Sequence, residues 1–122
     1  MPVPFPSAAD VRLVPPDAAE ARTIAGGVAG AVAHGGELTG LQRLVLEAVT
    51  ESMTGFVVPA RLVPRLGPQE FARALARRNE PFRRRMLQLM LLCALVLVPL
   101  PDEVVERIEQ YGRELGVGAS RP

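Results

Sequence analysis

The sequence predicts an all-α fold, a compact bundle of about five to seven helices built as a duplicated helical hairpin. Three observations carry that expectation. Apolar residues make up 48% of the 122 positions, yet aromatics are only 4% and Trp is absent, so the core has to be aliphatic, as packed helices allow. The alternation of β-branched and polar residues that marks half-exposed strands appears over no convincing window. Capping signals recur ahead of stretches with helical apolar spacing, and the two halves share one plan about 63 residues apart, Thr39 over Asp102 and Val45 over Ile108. The length suits a single domain over 17–117, between a Pro-rich arm at 1–16 and a tail at 118–122 that is expected to be flexible.

The arm holds Pro2, Pro4, Pro6, Pro15 and Pro16, too dense for a long helix or a central strand. Its Val3, Phe5, Val11 and Leu13 are expected to lie on the domain or on a partner. Asp17 with Glu20 reads as a capping box that starts a first helix running to about Ala33, with Ala21, Ile24, Ala25, Val28, Ala31 and Val32 at helical spacing. Gly26 and Gly30 each cost about 1 kcal/mol of helix propensity relative to Ala, which implies tertiary contact and the close approach of another helix. After the break at His34-Gly35-Gly36, a second box of Thr39 and Gln42 starts a helix to about Met53. Its expected inner face is Leu41, Leu44, Val45, Ala48, Val49 and Ser52, opposite Arg43, Glu47 and Glu51, and Gly55 is its stop.

Pro59 and Pro64 limit the next segment to short turns. A third helix begins at Pro68, with Glu70 near its positive end, Arg77 and Arg78 near its negative end, and Phe71, Ala72 and Leu75 inward. Asn79 and Glu80 cap the helix around which the chain looks organised, where Arg83, Arg84 and Arg85 abut an almost unbroken apolar run closed by Pro99 and Pro101. The dipole disfavours cations in those first turns, so an acid is expected nearby. Asp102 starts the last helix, with Val104, Val105, Ile108, Tyr111 and Leu115 inward, the pairs Glu103/Arg107 and Glu109/Arg113 outward, and Gly116 as its end.

The apolar run is too short to be a membrane span. Met86 to Val98 is about 13 residues, roughly 20 Å of helix against the roughly 30 Å of a bilayer core, and Gln88 interrupts it. A helix buried on nearly all sides is expected instead. The N-terminus has neither the basic start nor the apolar block of a signal peptide.

Net charge is +1, which does not favour a polyanion binder. Between Arg61 and Arg85 stand eight arginines against Glu70 and Glu80, whereas Asp102 to Glu114 carries five acids against Arg107 and Arg113. These regions are expected to face each other or to alternate over one solvated surface. All basic side chains are Arg, which with abundant Ala, Gly and Pro reads as the coding bias of a high-GC bacterium. The single Cys93 permits no internal disulfide and favours a reducing, cytoplasmic setting, where it is expected to be buried and inert.

No catalytic constellation emerges. His34 is the sole histidine and has no nucleophile partner, and with Glu37 alone it falls short of a zinc site. Gly26-Gly27 with Gly30 lies inside a helix rather than after a strand, so it is no phosphate loop. Arg73, Arg77 and Arg84 could form a stripe but lack interleaved aromatics, so nucleic acid is not an expected partner.

The stretches GGELTGLQRLVLEAV, GPQEFARALARRNEPFRRRMLQLMLLCALV and DEVVERIEQYGRELGV resemble the tellurite-resistance TerB-like family of small helical bundles, over roughly Ala18 to Val117. The resemblance implies an acidic, metal-associated turn in each half. Here Gly36, Glu37, Leu38 and Thr39 agree with that turn, but Gly35 stands in place of its Asp, and Leu41 and Gln42 replace the acids that follow. The second turn has Leu97 and Val98 at the Asp-Gly place and keeps only Asp102 and Glu103. His34, Glu37, Asp102 and Glu103 are thus the only residues left for a divalent cation, which needs six or more oxygens, and no cofactor is expected.

The expected function is therefore a non-catalytic interaction or assembly module with a protein partner or a second copy. Arg77, Arg83, Arg84, Leu97, Val98 and Leu100 are its expected contact residues. A divalent-metal sensor is one competing expectation. A subunit or fragment of an enzyme whose active site lies on another chain is a second, and peripheral membrane contact a third, because arginines beside a Met- and Leu-rich surface are what anionic lipid attracts.

Overall fold

The computed structural model describes residues 16–97 and 99–117, so the arm (apart from Pro16), the tail and Val98 lie outside the described residues. The described residues form five α-helices and one 3₁₀ turn. The helices are α1 (Ala18–Val32), α2 (Gly40–Thr54), α3 (Pro68–Ala74), α4 (Glu80–Ala94) and α5 (Asp102–Leu115), with the 3₁₀ turn at Ala60–Leu62. There is no strand among them, only an isolated bridge between His34 and Glu37. The fold is all-α, at the lower end of the expected helix number.

The duplicated plan is visible in the spacing. α1 and α4 begin 62 residues apart, as do α2 and α5, and in each half the first helix packs on the second. Asp17 and Asn79 cap the two first helices, accepting from the backbone N–H groups of Glu20 and Phe82 at 2.8 and 3.0 Å. Gly55 and Gly116 end the two second helices in the left-handed conformation, at φ 82° and 71°, where a side chain would be strained.

The expected box at Asp17 is only half formed, because the Glu20 carboxylate turns away to Arg78, which donates to it from Nε at 2.9 Å and again from Nη2. This pair is mostly buried, and the Arg78 guanidinium also lies 4.4 Å from the Phe82 ring, so one arginine ties α1 to the start of α4. A charge-assisted, part-buried pair holds Glu20 more strongly than a single exposed N–H would. Arg107 does the corresponding work at the other end of α1, donating to the carbonyls of Gly30, Ala31 and Ala33 at 3.3, 3.2 and 2.6 Å, where the helix dipole favours a cation.

The central helix is α1 rather than α4. It packs against all four other helices and the 3₁₀ turn, and from Ile24 to Val32 only Gly30 is not fully buried. Small residues make this possible. A Cβ on Gly26 would lie 2.4 Å from the Pro64 carbonyl oxygen, and one on Gly27 2.3 Å from the Phe71 ring. One on Gly30 would lie 2.7 Å from the Tyr111 hydroxyl. The close approach expected of Gly26 and Gly30 is therefore made chiefly by the irregular segment before α3, whose Leu66 N–H also bonds the Gly26 carbonyl at 3.2 Å. Tyr111 anchors the same segment, donating to the Leu66 carbonyl while its ring meets Phe71 edge-on at 6.0 Å between centroids.

α2 faces the core with a different side from the one expected. Gln42, Leu46, Thr50 and Thr54 are buried, whereas Leu41, Leu44, Ala48 and Ser52 are exposed. The capping box fixes this rotation. Gln42 Oε1 accepts from the Thr39 N–H at 3.0 Å, and the same side chain then donates from Nε2 to the carbonyls of Val32 at 3.1 Å and Cys93 at 3.4 Å. A buried amide with its hydrogen bonds met costs little, so a polar residue occupies the inner face and turns leucines out. α4 is corrected in the same sense: Phe82, Met86, Leu87, Leu89, Met90, Cys93 and Ala94 are buried, but Leu91, Leu92 and Leu95 are open. No described helix is long and apolar enough to cross a membrane.

Candidate functional site

The features left unexplained by folding lie on the outer side of α2 and α4. Leu41 and Leu44 stand within a turn of Gln42, and Leu91, Leu92 and Leu95 within a turn of Cys93. The Gln42 bond to the Cys93 carbonyl therefore brings all five to one end of the bundle. They are between 44% and 66% exposed, together on the order of 500 Å² of open leucine surface. Phe56, Val57 and Leu62 are also exposed, but on the segment between α2 and α3.

Charge is graded along the same axis. At the leucine end, His34 Nδ1 lies 2.9 Å from Glu103 Oε2, and the backbone of His34 bridges to Glu37 through bonds of 2.9 and 3.2 Å. That places the exposed acids Glu37, Asp102 and Glu103 near the end of α4. At the far end of α4 stand Arg77, Arg84 and Arg85, all exposed. Arg84 pairs with Glu80, whereas the side chains of Arg77 and Arg85 have no hydrogen bond or ion pair among the described residues. Among the described residues no ion pair is seen between Arg61, Arg65, Arg73, Arg77, Arg83, Arg84 or Arg85 and the acids of α5.

The expected contact residues fare unequally. Arg77 and Arg84 are on the surface. Arg83 is turned inward, donating to the Arg78 carbonyl at 3.2 Å and to that of Leu115, so it caps the C-terminal end of α5. Leu97 and Leu100 are partly buried against the core, and Val98 lies outside the described residues. The leucines of α2 and α4 were missed because their spacing reads as a core face. The signal against that reading was the capping box itself, which commits the Gln42 side chain to the domain.

Of the four metal candidates, the structure gathers His34, Glu37 and Glu103 at one turn with Asp102 beside Glu103. Even so, no group of three or more His, Cys, Asp or Glu among the described residues could hold a metal ion. Cys93 is fully buried, and burial pushes its thiol up to about 11, so at neutral pH it is a protonated, apolar packing group. Burial likewise pushes Tyr111 up to about 12, with Arg107 opposing and Glu70 assisting. Neither is placed to act as a nucleophile or a base. No protein-family model, curated protein or solved structure matches the chain.

Proposed function

We propose that this chain is a non-catalytic helical interaction or assembly module of TerB-like kind, working in a cytoplasmic compartment. One observation carries the reading: five leucines are left open at one end of a bundle whose central helix is closed over by small residues and whose buried Gln42 amide is hydrogen-bonded. Exposing that much apolar surface is unfavourable by roughly 25 cal/mol per Å² unless something covers it. The resemblance to TerB-like domains adds the expectation of a small helical bundle, with the acids of its turns reduced here to Glu37, Asp102 and Glu103.

The test is Leu44→Gln with Leu92→Gln. The parent chain should hold a companion, whether a second copy or another protein, in light scattering and in cross-linking within a cell extract. The double variant should lose it while melting as the parent does. A parent that remains monomeric and cross-links to nothing through this face overturns the reading.

A second reading, peripheral membrane contact, is supported by the order of residues on the outer side of α4, where Arg84 and Arg85 precede Gln88, Leu91, Leu92 and Leu95. Flotation of the parent with anionic vesicles, lost in Arg84→Glu with Arg85→Glu, would support it. Absence of flotation ends it.

A further inference from the structure

We propose that the occupant of the leucine face is a second copy of this chain, held in a two-fold dimer with the α4 helices antiparallel and leucine across leucine. This rests on the assembly-module reading and names the partner. Two observations on this face point to it.

The first is area. The five leucines supply on the order of 500 Å², against the roughly 800 Å² that each partner of a standard interface buries. Ala48, Gln88 and the exposed arginines beside them are available to form the rim. A patch of that size can serve as the apolar centre of a self-complementary interface but leaves little over for a second, different partner.

The second is the order of charge. A two-fold contact is isologous: whatever one copy presents at a distance from the axis on one side meets what the other presents on the opposite side. With the axis near Leu92, Arg84 and Arg85 lie seven or eight residues away, about 11 Å along the helix. In the antiparallel arrangement that carries them past the end of the second copy's α4. At that end stand Glu37 and Asp102, whose carboxylates have no partner among the described residues. Both contacts form twice, so Arg84 and Arg85 of each copy meet Glu37 and Asp102 of the other. A parallel arrangement would instead set arginine on arginine, a like-charge contact that opposes it.

The experiment is light scattering and sedimentation on the full purified chain. The parent should run at twice 13.1 kDa. Leu44→Gln with Leu92→Gln should weaken the dimer at least tenfold, and raising salt from about 0.05 to 0.5 M should weaken the parent several-fold. The decisive arm is reciprocal charge reversal. Arg84→Glu with Arg85→Glu, and separately Glu37→Arg with Asp102→Arg, should each give a monomer, because both rim contacts become repulsive. Mixing those two monomers should restore a dimer, because every contact across the mixed interface is again between opposite charges. These positions are exposed, and circular dichroism confirms that each variant folds before it is weighed.

A parent dimer indifferent to the leucines and to the reversals overturns the geometry. A mixture that stays monomeric does the same. A parent that is monomeric at about 100 µM, yet cross-links in extract to a different protein through Leu44 and Leu92, overturns the second copy and leaves the assembly reading standing. A monomer with no companion overturns both. A monomer that floats with anionic vesicles overturns both in favour of the membrane.

Discussion

α1 and the outer side of α4 use residues in opposite ways. Along α1 the neighbours come so close that glycine is the only residue that fits: Gly26 against Pro64, Gly27 against Phe71, Gly30 against Tyr111 and Leu66. On the outer side of α4, and on that of α2, the residues are large and stand between 44% and 66% exposed. A composition with abundant Gly and Ala had no need of leucine at those outer positions for folding. The contrast separates what holds the domain together from what it holds out to others, and it predicts that substitutions in the two regions act on different measurements.

The largest effect is expected where α1 is closely covered. Phe71 is fully buried, its ring seated on Gly27 and edge-on to Tyr111, so Phe71→Ala should cost about 4 kcal/mol in urea unfolding. Gly27→Ala should cost about 2 kcal/mol, since the overpacking of a Cβ at 2.3 Å from that ring outweighs the gain of about 1 kcal/mol in helix propensity. The two are in contact, so the double variant should cost clearly less than both combined, because removing the ring makes room for the methyl group. Strict additivity would mean that Gly27 is not there to admit Phe71.

Next in size is the alkaline behaviour of the same core. Tyr111 ionises near 10.0 when unfolded and at about 12 when folded, and Cys93 near 9.0 and at about 11. In each case the raised folded value means that the contribution is fully present below the unfolded pKa and is lost as pH rises through the folded one. Stability should therefore hold to about pH 9 and then fall, Cys93 acting over 9–11 and Tyr111 over 10–12, each by about 3 kcal/mol at most. Cys93→Ala should remove the first part of that fall and leave the second. A flat profile to pH 11 in the parent would show that neither group is held away from water.

How much of this was legible in the sequence depended on range. The caps at Asp17, Thr39, Asn79, Gly55 and Gly116 were readable because a cap is settled within four residues. The facing of α2 was not, because it depends on Gln42 meeting carbonyls 10 and 51 residues away, and a polar side chain looks like a surface residue until its partners are known. The place of α4 was misread for a related reason. A continuous apolar run looks central, whereas α1, made of residues too small to look like a core, is the helix that the others touch. Arg83 looked like a surface cation beside Arg84, and only the distant Leu115 carbonyl turns it inward. The sequence therefore points to Leu97 and Leu100, which partly pack against the core, and not to Leu44 and Leu92.

The smallest effect on stability is expected where the effect on association is greatest. Leu44 is 66% and Leu92 49% exposed, so each is only partly covered on folding. Leu44→Gln with Leu92→Gln should shift the unfolding free energy of the monomer by about 1 kcal/mol or less, the sum of two surface changes away from caps and ion pairs. Both positions lie inside helices where Gln is nearly as good a helix former as Leu, so no propensity penalty offsets this. Unfolding of the parent should depend on protein concentration through its dimer, whereas unfolding of the double variant should not. A loss of 2 kcal/mol or more in the variant at low concentration would instead place those leucines in the core, and the outer side of α2 and α4 would then be part of what folds the chain rather than a surface it presents.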